Sequence, residues 1–428
     1  MVFLSQPWPV VKYCTLITSL QNFTVADTSA PLSFFAKDGY YTVGNKIFNH
    51  KIYALQEATQ TGLAVQWHFN DELYNNLNWN QDPGVPILEL YRLRAQQLRD
   101  RYKYIICCWS GGGDSTTMCE AFLENNIHLD EIVTLWPISL SQGKYQANAA
   151  DRSAENMPSE WNFSIRPRVE LWRQQYPQQF INVVDTCHLS KDEYSDDTVT
   201  IMDKHSYLAI QRWRHMDQIL RERMDQYGNE VCIVIGASPV EVELLDNYLA
   251  VYFKDTLAGN GLKSDYTASG IARKVESFYW TPDMPEIVQQ QAHDILKVLK
   301  INPLDKQYFP QMQLQADRTF KSVYIPGEEM TRRFRKKIIY PKFPWDWFQV
   351  TKQNRTHENP EWETWFNSNP HAEEFLQPWR SAIRCHTNLI DERFKNYNQG
   401  YLSGFKQFVS RYYVVGQMTD SGTLITRS

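Results

Sequence analysis

The stretch 104–118, YIICCWSGGGDSTTM, restricts the fold of this chain more than any other part of it. Residues 105–109 form a short apolar run, which is typical of a strand covered on both faces. Three glycines follow, and residues 114–117 supply short polar side chains that favour the start of a helix. The stretch therefore predicts a buried strand, a glycine turn and a helix N-terminus in immediate succession.

This succession also predicts an anion site. Glycine allows positive φ and a close approach of a ligand to the main chain, and the free N–H groups and positive dipole end of a helix N-terminus attract anions. The alternative is an ordinary strand–turn–helix connection that binds nothing. Two other phosphate loops are excluded, because no Lys follows the glycines as a Walker loop requires, and residue 116 is Thr where a dinucleotide fingerprint needs its third glycine.

Residues 110–115 read S-G-G-G-D-S, and this loop resembles the pyrophosphate-binding loop of the N-type ATP pyrophosphatase (PP-loop) superfamily. The resemblance implies that ATP is cleaved between its α and β phosphates to activate a second molecule as an adenylate. It implies ATP and Mg²⁺ as cofactors, with Asp114 as a ligand of the metal and Asp114 and Ser110 as catalytic residues. The nucleotide-binding residues that it implies are Ser110, Gly111, Gly112, Gly113, Asp114, Ser115 and Thr116.

Three later segments read as further strands, at 130–137, 180–185 and 231–236, and a helical pattern runs from Tyr207 to Tyr227 with Gly228 as its stop. This alternation predicts right-handed βαβ units with ligands at the carboxyl ends of the strands. The expected fold is α/β, a Rossmann-like parallel sheet of PP-loop type flanked by helices, with N-terminal and aromatic-rich C-terminal additions. The resemblance places adenine against the end of the second strand, and the further nucleotide-binding candidates at strand ends are Leu135, Trp136 and Gly236.

Two helices flank this arrangement in the sequence. Residues 87–102 predict a strong helix whose arginines we interpret as a solvated face rather than a phosphate clamp; they are Arg92, Arg94, Arg99 and Arg101. Residues 278–287, FYWTPDMPEI, resemble a segment that follows the ATP site in asparagine-synthetase-like members; the alternative is an ordinary capped surface helix. There Thr281 is expected to cap a helix whose first residue is Pro282, and an apolar stripe follows at Ile287, Val288, Ile295, Leu296 and Leu299.

Other charged residues are weaker candidates. An acidic group could help to hold Mg²⁺, although a solvated loop is favoured; it comprises Asp192, Glu193, Asp196, Asp197 and Asp203. Residues 259–264 suggest a lid that carries Lys263. Further bases that could meet phosphates are Arg273, Lys274, Arg332, Arg333, Lys336 and Lys337.

Composition narrows the class of protein. With 43% hydrophobic residues the chain is globular, and its net charge of −5 argues against non-specific nucleic-acid binding, which leaves nucleic acid only as a modified substrate. Seven cysteines without disulfide spacing, no basic leader and no long apolar run predict a reduced, cytoplasmic protein that does not enter membranes. The expected domains are an N-terminal accessory region at 1–85, the ATP pyrophosphatase domain at 86–300 and a C-terminal accessory or cap region at 301–428.

The resulting hypothesis is an adenylate-forming ligase or synthase. It activates a carboxyl or carbonyl oxygen with ATP and passes the activated group to a nitrogen nucleophile, as an amide or amidine ligase or a base-modifying enzyme does. One alternative is a sulfonucleotide-reductase-like enzyme that depends on Cys385. The other is a non-catalytic nucleotide-binding scaffold, which Ser238 keeps open because several relatives carry a lysine in the corresponding segment.

Overall fold

The computed structural model describes residues 39–48, 51–136, 138, 160–185, 207–236, 240–245, 248–255, 274–301, 335–344 and 408–417. The strands are β1 (Tyr40–Val43), β2 (Lys46–Phe48), β3 (Val65–His68), β4 (Tyr104–Cys108), β5 (Glu131–Trp136), β6 (Phe180–Asp185), β7 (Val231–Ile235), β8 (Glu241–Leu245), β9 (Tyr248–Tyr252), β10 (Val275–Ser277) and β11 (Tyr413–Gln417). The helices are α1 (Lys51–Thr61), α2 (Asp71–Asn76), α3 (Ile87–Arg101), α4 (Gly113–Leu123), α5 (Arg166–Gln175), α6 (Tyr207–Tyr227) and α7 (Glu286–Ile301), and a π-helical turn, Trp161–Ile165, precedes α5.

Five parallel strands form the central sheet, in the order β10-β7-β4-β5-β6. The first of them along the chain, β4, lies in the middle, with β5 on one side and β7 on the other. Its residues from Tyr104 to Cys107 are buried, as expected for a strand covered on both faces. The predicted α/β fold with a Rossmann-like parallel sheet flanked by helices is confirmed, and the predicted strands agree with the observed ones to within a residue or two.

Helix α3 packs against α4 and α7, and one of its arginines corrects the sequence-based interpretation. Arg94 is not on a solvated face: its side chain is 0% exposed and forms an ion pair of 3.1 Å with Glu276, which is itself buried. The same guanidinium donates a hydrogen bond of 2.9 Å to the carbonyl oxygen of Ser277. A buried carboxylate on β10 needs a buried cation, and Arg94 supplies it from the buried face of α3, which it shares with Leu90 and Leu98.

The predicted start of α7 is also wrong. Residues 282–285 form a turn, in which the backbone N–H of Asp283 donates to the Thr281 hydroxyl at 3.2 Å, and the helix begins at Glu286. A second proline, Pro285, precedes the helix directly, and the residue before a proline avoids helical dihedrals. The predicted apolar stripe is confirmed, since Ile287, Val288, Ile295, Leu296 and Leu299 are all buried.

Two small antiparallel sheets complete the described structure, with strand orders β2-β1-β3 and β11-β9-β8. Strands β8 and β9 form a hairpin that follows β7 in the sequence. Strand β11, from the C-terminal part of the chain, pairs with β9 of this hairpin. Residues from all three expected domains contribute to one apolar core, while the domain boundaries themselves stay predictions. Among the described helices, none has the length and apolar character needed to cross a membrane.

Candidate functional site

The glycine loop lies at the point where the strand order of the central sheet reverses. Residues 109–112 leave the carboxyl end of β4, and α4 begins at Gly113. On one side of β4 the chain continues to β5 and β6, and on the other side lie β7 and β10. Ligands of open α/β sheets bind in the crevice at this switch point, so the predicted strand, glycine turn and helix stand where a ligand site is expected.

The loop is held by its own serine hydroxyls. The backbone N–H of Ser110 donates to the Ser115 hydroxyl at 3.0 Å, and that hydroxyl donates to the Gly112 carbonyl oxygen at 3.3 Å. The two serine oxygens lie 3.2 Å apart. Ser115 is buried, whereas Ser110 is exposed. Ser115 therefore fixes the loop, while the side chain of Ser110 is open to solvent and its contact with a nucleotide stays a prediction.

Gly111 is the loop residue that requires glycine. Its φ is +79°, and a Cβ built on it would lie 1.9 Å from Cδ1 of Ile165, the last residue of the π-helical turn. Ile165 is fully buried, so it has little room to move aside. Gly112, in contrast, has φ of −76° and only an ordinary contact of 3.7 Å, to Oγ of Ser110.

A lysine from a distant part of the chain meets the loop. Nζ of Lys336 donates to both carboxylate oxygens of Asp114, at 2.8 Å each, across 222 positions of sequence. The Lys336 side chain is 16% exposed and that of Asp114 is 18% exposed. Lys336 was one of several bases that the sequence offered as phosphate contacts, and the structure brings this one to the loop.

Buried tyrosines fix the surroundings of this ion pair. The Tyr279 hydroxyl donates to the backbone carbonyl oxygen of Asp114 at 2.7 Å, and its ring lies 5.5 Å from that of Tyr340. Burial raises the pKa of both tyrosines well above the usual range, and the negative charge of Asp114 raises it further. Both hydroxyls therefore stay protonated at any physiological pH. Tyr279 belongs to the segment 278–287 that the sequence singled out, whereas no sequence motif pointed to Tyr340.

The strand-end candidates differ in their surroundings. Leu135 and Trp136 are buried at the end of β5, and a contact between them and adenine stays a prediction. Gly236 follows β7 and faces the start of α4: a Cβ on it would lie 2.9 Å from the carbonyl oxygen of Asp114 and 3.1 Å from Cα of Ser115. Its missing side chain lets β7 and the first turn of α4 approach each other closely, which accounts for this glycine without a ligand.

The Asp114 carboxylate is engaged by a protein cation. Both oxygens of this carboxylate accept hydrogen bonds from an ammonium. Across the described ranges, no group of three or more His, Cys, Asp or Glu side chains could hold a metal ion. Magnesium coordination by Asp114 stays a prediction.

Several candidates lie outside the described residues: the acidic group Asp192, Glu193, Asp196, Asp197 and Asp203, the bases Lys263, Arg273, Arg332 and Arg333, and also Ser238 and Cys385. Lys274 is described, and its ammonium donates to the Asn229 carbonyl oxygen; Lys337 is exposed.

Burial raises the pKa of the Cys107 and Cys108 thiols well above the usual range, so both are inert strand residues.

Comparison of this chain with protein-family models, with curated proteins and with solved structures finds no match. The functional argument therefore depends on the loop and on the residues that surround it.

Proposed function

We propose that this protein is an N-type ATP pyrophosphatase, which adenylates a carboxyl or carbonyl oxygen and transfers the activated group to a nitrogen nucleophile. One observation carries the proposal. The S-G-G-G-D-S loop follows the central strand at the switch point of a parallel sheet, opens a helix, and holds the ammonium of Lys336 against its aspartate.

The arrangement supplies positive potential where a pyrophosphate group needs it. The loop amides and the N-terminus of α4 provide partial positive charge, and Lys336 adds a full one. Cleavage of ATP between its α and β phosphates increases the charge on the leaving pyrophosphate. Donors that are fixed in advance stabilise such charge without reorganisation.

The proposed reaction proceeds in two displacements. An oxygen of the acceptor attacks the α phosphorus, the bond to the bridging oxygen breaks, and pyrophosphate leaves with the electron pair. A nitrogen nucleophile then attacks the activated carbon, AMP leaves with its electron pair, and the nitrogen loses a proton to solvent. The loop acts by binding and orienting the triphosphate, and no protein base is needed to start the reaction. Mg²⁺ would enter with the nucleotide substrate and would help to offset the charge of the leaving pyrophosphate.

The test is product analysis of ATP turnover with pooled amino acids, peptides and nucleic acids as acceptors. We expect AMP and pyrophosphate from the wild type, and a loss of about a hundredfold or more in kcat/KM for Asp114→Ala. Glu124→Ala is the matched control, because Glu124 lies just after the other end of α4 and pairs with Lys342. ADP as the product, or equal turnover by Asp114→Ala, would contradict the adenylation mechanism.

A second candidate is a nucleotide-binding protein without turnover. The observation that favours it is the Lys336–Asp114 ion pair, which already satisfies the carboxylate that the loop resemblance assigns to the metal. Tight binding of ATP by calorimetry, without pyrophosphate–ATP exchange for any acceptor in the pool, would support this candidate over the enzyme. A fold of this type hosts both kinds of function. The reductase alternative depends on Cys385, for which the structure describes no contact.

A further inference from the structure

We infer that Lys336 is the residue that contacts the pyrophosphate group in the glycine loop, and that Asp114 holds its ammonium in place until the anion arrives. The inference rests on the proposed function and deepens it. It assigns the cationic contact of the loop to a lysine that lies outside the loop motif, and it gives Asp114 a role other than metal coordination.

The donor count of the ammonium is the first support. A lysine ammonium carries three N–H donors, and Asp114 accepts two hydrogen bonds from it, at 2.8 Å each. Within the part of the chain that the structure describes, no other side chain pairs with the Lys336 ammonium. Among the described residues, one donor of this ammonium is therefore left for a ligand, at a side chain that is still 16% exposed.

The position of the ammonium is the second support. Lys336 lies against the first turn of α4, where the helix dipole repels cations and attracts anions. Asp114 offsets one positive charge there. A lysine held at a helix N-terminus is electrostatically costly unless anionic charge is present, and a pyrophosphate group supplies more of that charge than Asp114 alone.

The backbone that carries Lys336 is firmly docked, which is the third support. Residues 335–339 form a helical turn, in which Arg335 forms an ion pair of 3.0 Å with Glu241. The Tyr91 hydroxyl donates to the Ile339 carbonyl oxygen at 2.9 Å, and both residues are buried. The flexible stem of Lys336 thus moves on a fixed base, so the ammonium can transfer hydrogen bonds from Asp114 to a phosphate without any backbone movement.

The test is calorimetric titration of inorganic pyrophosphate into the full-length protein in buffer with a chelator and no metal. We expect the wild type to bind, and Lys336→Met to bind about 10-fold to 100-fold more weakly, the usual effect of removing one charge-assisted hydrogen bond. Lys336→Arg should stay within about tenfold of the wild type, because it keeps the charge. That rescue separates an electrostatic role from a structural one.

Lys342→Met is the matched control. Lys342 belongs to the same docked segment and pairs with Glu124, after the far end of α4, so its loss should leave pyrophosphate affinity unchanged. Circular dichroism confirms that each variant is folded, and Lys336→Gln replaces the Met variant if that one is not.

Each outcome has a defined meaning. Equal pyrophosphate affinity in Lys336→Met and wild type, or no binding by the wild type without metal, overturns the inference. If the wild type still releases AMP and pyrophosphate from ATP, the proposed function survives that failure. Lys336-dependent pyrophosphate binding with no AMP formed from ATP would support the inference and contradict the adenylation.

Discussion

At the scale of single residues, the glycine loop shows how a contact from elsewhere in the chain gives similar residues different roles. Glycine allows positive φ at every position in the run of three, and Gly111 is the member of the run that adopts it. The choice follows from Ile165, whose side chain packs where a Cβ of residue 111 would lie. Since Ile165 precedes α5, no inspection of the loop sequence could separate Gly111 from Gly112.

Gly111→Ala should therefore destabilise the protein by about 1–3 kcal/mol, because a positive φ is strained for alanine and the new methyl group meets a buried side chain. Urea unfolding measures the change. Gly112→Ala is the control: its φ is negative and a Cβ there makes only an ordinary contact, so its stability should change by well under 1 kcal/mol, as at unstrained sites. Equal losses in the two variants would contradict this assignment.

At the scale of elements, α4 and α5 are joined by a nearly buried ion pair between Glu120 and Arg168, at 3.3 Å. Burial raises the pKa of the Glu120 carboxyl from 4.5 to about 7, with Glu124 adding to the rise and with Arg168 and Lys342 opposing it. Burial likewise lowers the pKa of Arg168. The pair therefore gains less from attraction than its two charges lose by leaving water.

A pH dependence of stability follows from this pair. The folded protein holds a proton on Glu120 between the unfolded pKa of 4.5 and the folded pKa of about 7. The stabilisation that this proton provides is thus complete below pH 4.5, and it is lost as the pH rises through about 7. Relative to Glu120→Gln, the wild type should lose about 2 kcal/mol of unfolding free energy between about pH 5 and about pH 8.

Urea unfolding of both proteins at the two pH values measures this difference. Glu170→Gln serves as the control, because Glu170 lies on α5 but is exposed and pairs loosely with Arg166, at 3.9 Å. The stability of the Glu170→Gln variant should change with pH as that of the wild type does. A wild type that gains stability relative to Glu120→Gln as the pH rises would show that attraction to Arg168 outweighs burial.

At the scale of the whole molecule, an aromatic cluster joins segments that are far apart in sequence. The ring of Phe253 lies 4.9 Å from Phe69, 4.5 Å from Tyr74, 5.2 Å from Trp280 and 6.1 Å from Tyr413. These partners come from all three of the domains expected from the sequence. These aromatic side chains thus pack at the junction between regions that are far apart in sequence.

Phe253→Ala should cost about 3–5 kcal/mol, the usual effect of deleting a buried phenylalanine. Tryptophan fluorescence and circular dichroism should report one unfolding transition, shifted to lower denaturant, because the cluster ties the regions together. Val414→Ala is the control on β11, since Val414 is 39% exposed. Separate transitions, with only one of them shifted, would show that the regions unfold independently.

The sequence by itself determined four of the five parallel strands, the helix from Tyr207 to Tyr227 and the glycine loop. These depend on local patterns: apolar runs, helical periodicity and glycine before short polar side chains. Tertiary structure alone decided which partners meet across the fold. Arg94 faces inward because Glu276 is buried, and Lys336 reaches Asp114 across 222 positions. Such pairings satisfy charge and packing between distant segments, and the spacing of residues along the chain carries no record of them.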